Sequence, residues 1–196
     1  MFYHFSVLYK FKKQHNSKGF TLIELLVSFA IVTMVSAIVL SRQSAFNGTV
    51  LLRNQAYKLA LDLRDMQIQA VSPTSDYSLG DFSSTFGVYI NKATPDRYLL
   101  FIDSNKNGRY NSGDTIVKTV KFDKRFKITG ISPGNIDSVS ITFTRPNFDA
   151  KFGGNGAVVN AQTVKIFISP KNVNLSGNNS RAVEVSKTGQ ITVTTS

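Results

Sequence analysis

Gly19-Phe20-Thr21-Leu22-Ile23-Glu24-Leu25-Leu26-Val27 is the stretch from which the rest of the chain is read. Before it lies a basic, acid-free segment carrying Lys10, Lys12, Lys13 and Lys18. After it an apolar run extends from Phe20 to Leu40, with Glu24 as its single charge. At 1.5 Å rise per residue a helix of this length crosses a hydrocarbon core of about 30 Å. Basic residues flanking a first apolar segment stay cytoplasmic, so the chain beyond the helix is expected to face outward. A carboxylate at a bilayer centre costs about 2.5–3.5 kcal/mol on insertion scales, less nearer the interface. Glu24 is therefore expected to be there for a partner.

Lys18-Gly19-Phe20-Thr21-Leu22-Ile23-Glu24-Leu25-Leu26 strongly resembles the class III signal of type IV pilins and pseudopilins, in which a membrane peptidase cuts after the glycine. The resemblance implies cleavage between Gly19 and Phe20, N-methylation of Phe20, and Glu24 as the assembly glutamate. It implies as partners the prepilin peptidase/methyltransferase and other pilins or pseudopilins, met through the N-terminal helix. A secretory signal places a cleavage site behind an apolar core of about 7–15 residues. Here the cut would precede the apolar run, so the helix is retained. Cleavage would create a cationic amine one helical turn from Glu24, and the carboxylate of one subunit could pair with the Phe20 amine of the next. Low dielectric strengthens such a pair and makes a missing partner expensive. The plainer alternative is a signal anchor with a stray glutamate. The expected location is the inner or cytoplasmic membrane, single-pass with a cytoplasmic N-terminus, and then a pilus or pseudopilus.

The 196 residues suffice for one membrane helix and one modest domain. Hydrophobic content of 42% argues against wholesale disorder. With no cysteine, an external domain has no disulfide staple, and its core must hold itself together or borrow a metal. The two histidines, His4 and His15, both precede Gly19. Beyond them the chain offers no conventional nucleophile–base pair and no common zinc site. It also shows no P-loop or dinucleotide fingerprint. We expect no enzyme.

The helical pattern continues past the membrane run. Leu52, Ala56, Leu59, Ala60, Leu63, Met66 and Ala70 recur at three- and four-residue steps, with Arg53, Lys58, Asp62, Arg64 and Asp65 on the other face. Arg42 marks the outer membrane boundary, Asn47-Gly48 is a candidate kink, and Pro73 ends the helix. Residues 72–85 read as a loop. Short runs rich in β-branched and aromatic residues then predict strands at 87–91, 97–103, 115–122, 126–129, 138–144, 163–169, 181–186 and 190–194. Gly153-Gly154-Asn155-Gly156 and 172–180 read as turns or loops, and Thr188-Gly189 as the turn of a last hairpin. The expected division is a leader at 1–19, a transmembrane helix at 20–41, its amphipathic extension at 42–71 and an extracytoplasmic β domain at 72–196. The fold class is α+β: a pilin-like long N-terminal helix followed by an antiparallel β-sheet domain. Two pieces resemble the GspH/FimT-type pseudopilins in particular, Leu100 to Asp114 between two strands and the ending Ser180 to Val193.

Asp103-x-Asn105-x-Asn107-Gly108-Arg109 with Asp114 matches the twelve-residue calcium-loop spacing. Side chains at 103, 105, 107 and 114 and the Arg109 carbonyl could surround Ca²⁺, while Gly108 allows the sharp turn. Two carboxylates, an Asp in place of the usual bidentate Glu, and flanking strands rather than helices set the expected affinity at about 10⁻⁴–10⁻³ M. The alternative is a solvated hairpin loop turning at Asn107-Gly108.

The net charge is +11; without the four leader lysines, 19 basic residues face 12 acidic ones, a net of +7. Competence-type members of the resembled family bind DNA through a basic C-terminal region. Carried onto this chain, the resemblance points to Arg181 and Lys187, with salt-sensitive phosphate contact as the physical basis. The alternative is a solvated β surface whose charges resist edge-to-edge aggregation.

Overall fold

A computed structural model of the chain describes residues 19–72, 84–134, 136–154, 160–171 and 180–195, side chains at 42–47 excepted. Residues 1–18 of the expected leader, residues 73–83, Asn155 and Gly156 of the expected glycine turn, and 172–179 of the expected late loop lie outside these. The chain divides into two compact units, Met1–Gln43 and Ser44–Ser196.

Helix α1 spans Leu22–Val71. It stays helical through Asn47-Gly48, where a glycine costs about 1 kcal/mol relative to alanine without forcing a break. It stops two residues short of Pro73, whose ring disfavours helical geometry at Ser72. In the first unit α1 contributes an apolar segment, Leu22–Ser41, with mean hydropathy 2.5 and no part buried against protein.

In the second unit, strands follow in the order β1 Thr85–Asn91, β2 Arg97–Asp103, β3 Thr115–Lys121, β4 Phe126–Ser132, β5 Ser138–Phe143, β6 Ala150–Gly154, β7 Thr163–Pro170, β8 Arg181–Ser186 and β9 Ile191–Thr195. They form two sheets, ordered β3-β2-β1-β5-β6 and β4-β7-β8-β9. Every pairing is antiparallel. An N-terminal apolar helix followed by helix and antiparallel sheets is the α+β, pilin-like arrangement.

One core joins these elements. Leu52, Ala56, Leu59, Leu63, Met66 and Ala70 of α1 are buried with Phe86, Val88 and Ile90 of β1, Phe126 and Ile128 of β4, and Val164, Ile166 and Ile168 of β7. The helical stripe is thus buried at the expected positions, with Ala60 partly so. The opposite face is less uniformly solvated than its charges imply. Asp62 is half-buried and accepts a hydrogen bond from the Tyr98 hydroxyl at 2.5 Å, because the buried phenol needs an acceptor.

The structure corrects the reading of Gly153-Gly154. They are not in a turn but close strand β6, which pairs with β5 through Gly153↔Ser140 and Gly154↔Val139. The glycine is there because the strand runs against a loop: a Cβ on Gly153 would overlap the Gly108 carbonyl oxygen. Strand β4 also runs three residues past the expected end at Thr129. The β8–β9 turn falls as expected at Thr188-Gly189, with Gly189 at φ +79°.

Candidate assembly and binding sites

Gly19 and Phe20 are exposed and precede the helix. Thr21 caps it: its Oγ1 accepts a hydrogen bond from the Glu24 N–H at 3.3 Å, and its carbonyl accepts the first intrahelical bond, from Leu25 N–H at 3.1 Å. Glu24 thereby sits at the third helical position, in the Thr-x-x-Glu spacing of a capping box. Its exposed carboxylate lies in the first turn, where the helix dipole favours negative charge. Ser28 and Thr33 return their hydroxyls to the carbonyls of Glu24 and Ala30, at 2.7 and 2.9 Å, so they leave no unmet donor on an apolar surface. Thr21 lies within the quoted signal, where the sequence reading gives it no role. Its spacing from Glu24 was the available signal.

The loop between β2 and β3 brings Asp103, Asn105, Asn107 and Asp114 together, but it does so through backbone donors. Asp103 is 1% exposed; its two carboxylate oxygens accept the N–H groups of Asn107 at 3.2 Å and Gly108 at 2.7 Å. Asp114 accepts from Ser104 at 3.1 Å and Asn111 at 2.7 Å. The amide oxygens of Asn105 and Asn107 each take the N–H two residues on, at 3.1 and 2.8 Å. Lys106 and Gly108 both have positive φ, 58° and 75°. The Tyr110 N–H donates to Ser140 Oγ at 2.9 Å, and its ring packs on Tyr89 and Phe101. Each of these carboxylate and amide oxygens retains a second lone pair for a cation, and two of the four side chains are carboxylates. Among the described residues no three His, Cys, Asp or Glu side chains gather into a metal-binding group.

The two candidate DNA-contacting residues are not brought together. Arg181 opens β8 and Lys187 follows its end, so they stand about 20 Å apart at 3.3 Å per residue. Arg181 lines a groove of about 360 Å³ with Arg53, Tyr57, Val193, Thr194 and Thr195. Lys187 lines another, of about 340 Å³, with Arg109, Lys151 and the glycines 108 and 153 among its walls. Two other basic residues of the β domain are ion-paired. Lys165 pairs with Glu184 at 3.1 Å. Arg125 binds Asp123 at 2.8 Å, and that hydrogen bond holds the Asp123 carboxyl down at about 2.

Residues 14–40 match the family described as the prokaryotic N-terminal methylation motif. No curated protein and no solved structure matches the chain. The motif covers Gly19, Phe20, Thr21 and Glu24 together with most of the apolar segment. It supports a type IV pilin- or pseudopilin-type function, with processing by a prepilin peptidase, anchoring in the membrane through the N-terminus and assembly with other pilins.

Proposed function

We propose that the chain is a minor pilin or pseudopilin, of the GspH/FimT type, incorporated into a type IV pilus or a type II secretion pseudopilus. Its mechanism is assembly rather than catalysis. The precursor is inserted with its leader inside, cut between Gly19 and Phe20, and N-methylated at Phe20. Glu24 of one subunit then meets the Phe20 amine of another, and this pair gives register to helices whose apolar surfaces would otherwise slide. The observation that carries the reading is the placement of Glu24 within the methylation motif, in the first turn of α1 and exposed as the single charge of the apolar segment Leu22–Ser41. The β domain is carried on the outside. The low count of arginines near the end of the chain and the separation of Arg181 from Lys187 weigh against filament-presented DNA binding as the main role.

The test is mass spectrometry of the membrane-extracted protein from cells that carry the processing enzyme. A chain starting at N-methylated Phe20 is expected. An unmodified, uncut Gly19–Phe20 junction would overturn the reading. Glu24→Ala is expected to leave cleavage intact and abolish incorporation into filaments; unchanged incorporation would remove Glu24 from the assembly mechanism, and a parent chain absent from filaments would leave only a membrane-anchored β domain.

A further inference from the structure

Among the described residues the two sheets present four edge strands, β3 and β6 on one, β4 and β9 on the other. An open edge is a row of unpaired N–H and C=O groups, and natural sheets blunt it with charge, above all lysine. Strand β3 carries Lys118 and Lys121, β4 carries Lys127 and β6 carries Lys151. Strand β9, Ile-Thr-Val-Thr-Thr, carries no charge.

Its hydrogen-bonding polarity follows from the hairpin. The Ser186 N–H donates to the Gln190 carbonyl at 2.9 Å, which makes that pair a hydrogen-bonded one. Alternation along the antiparallel register then makes Glu184↔Thr192 and Ala182↔Thr194 hydrogen-bonded pairs, while Val193 and Thr195 turn their backbone groups away from β8. These two residues also line the groove that holds Arg53, Tyr57 and Arg181. The Arg53 guanidinium lies over the Tyr57 ring, 5.3 Å from its centroid, and among the described residues no Asp or Glu side chain lines the groove. Among the described residues neither arginine is in an ion pair.

We infer that the open edge of β9 accepts an extended, carboxylate-bearing segment of a neighbouring filament subunit, added as a further strand. Main-chain bonds form to Val193 and Thr195, and the acidic side chains meet Arg53 and Arg181. Strand addition takes its affinity from the main chain and its selectivity from side chains at alternate positions. An uncharged edge flanked by two unpaired arginines supplies both. Nucleic acid fits less well, since a phosphate backbone gains nothing from a free strand edge and the next cationic groove lies at the far end of β8. The inference rests on the assembly reading for the identity of the partner, but not for the binding chemistry.

The experiment uses the full chain in detergent micelles and three probes: an eight-residue alternating Glu-Val peptide, its Lys-Val counterpart, and a single-stranded oligonucleotide. Hydrogen exchange is read at the Val193 and Thr195 amides, and affinity by titration. The Glu-Val peptide alone is expected to protect both amides. Arg181→Glu, Arg53→Glu and Thr195→Pro, which removes an outward N–H at the exposed end of the strand, are each expected to weaken binding about tenfold or more. No protection at saturating Glu-Val peptide, equal protection by Lys-Val peptide, or preferential protection by the oligonucleotide would each overturn the inference. None of these readouts requires a filament, so their failure is distinct from an uncut Gly19–Phe20 junction.

Discussion

Gln67 Nε2 donates to the Gly189 carbonyl at 3.0 Å and, from the same nitrogen, to the Phe148 carbonyl at 2.6 Å. One fully buried amide on α1 thus ties down both the β8–β9 turn and the connection between β5 and β6. Leaving a buried acceptor without its donor costs about 1–3 kcal/mol. Gln67→Ala is therefore expected to destabilise the domain by about 2–4 kcal/mol in urea unfolding. Gln67→Glu should do no better at neutral pH, because it turns a carboxylate oxygen toward two carbonyls. A melting temperature unchanged in both variants would mean that the two connections hold themselves.

The contact between β6 and the β2–β3 loop makes a second, sharper claim. Any side chain on Gly153 collides with the backbone of Gly108, which is not the yielding end of a flexible group. Gly153→Ala is expected to cost about 1–3 kcal/mol through forced backbone shifts. In Gly113→Ala, by contrast, the new methyl meets only the Asn111 amide oxygen at 3.3 Å, and it should stay within about 0.5 kcal/mol. Equal effects at the two glycines would show that the loop does not press on the strand.

The helix and its buried stripe were legible because their period is local: Leu52 to Ala70 declare a face without knowledge of what covers it. Among the described residues, eight of nine strands were legible for the same reason, as runs of β-branched and aromatic residues. Strand β6 was not, since Ala-Lys-Phe-Gly-Gly has a turn's composition and a strand's position. Gly153 answers to Gly108, more than forty residues away in sequence. Gln67 was hidden in the same way, its two acceptors lying 81 and 122 residues off. At the N-terminus the Gly19–Glu24 signal was plain, while the Thr21 cap needed the helix start to be known. Arg181 and Lys187 were paired by the resemblance to a basic C-terminal region, but strand β8, which Arg181 opens and Lys187 follows, keeps them apart.

Asp103 separates the two readings of its loop. With both oxygens holding the N–H groups of Asn107 and Gly108 in a buried position, the carboxylate closes the turn by itself. Hydrogen bonds to charged groups contribute about 1.5–3 kcal/mol each. Asp103→Ala is expected to lower stability by about 2–4 kcal/mol equally in EDTA and in millimolar calcium. A loss that appears only with calcium present would show that a bound ion, and not the backbone, is what the carboxylate serves.

Tyr98 is 1% exposed, and both burial and the Asp62 carboxylate that accepts its hydrogen bond raise its pKa far above the ordinary 10.0. A raised folded pKa means that the unfolded chain releases the phenolic proton first. Its stabilising contribution is complete below the unfolded value and declines as pH rises beyond it. Denaturant titrations should therefore show this contribution constant through neutrality, with a loss beginning near pH 10 that follows this tyrosine. Tyr98→Phe is expected to cost about 1 kcal/mol at pH 7 for the missing hydrogen bond and to flatten the alkaline decline. If the variant loses stability above pH 10 as steeply as the parent, the proton in question belongs to another group and the Tyr98–Asp62 bond does not govern the alkaline limit.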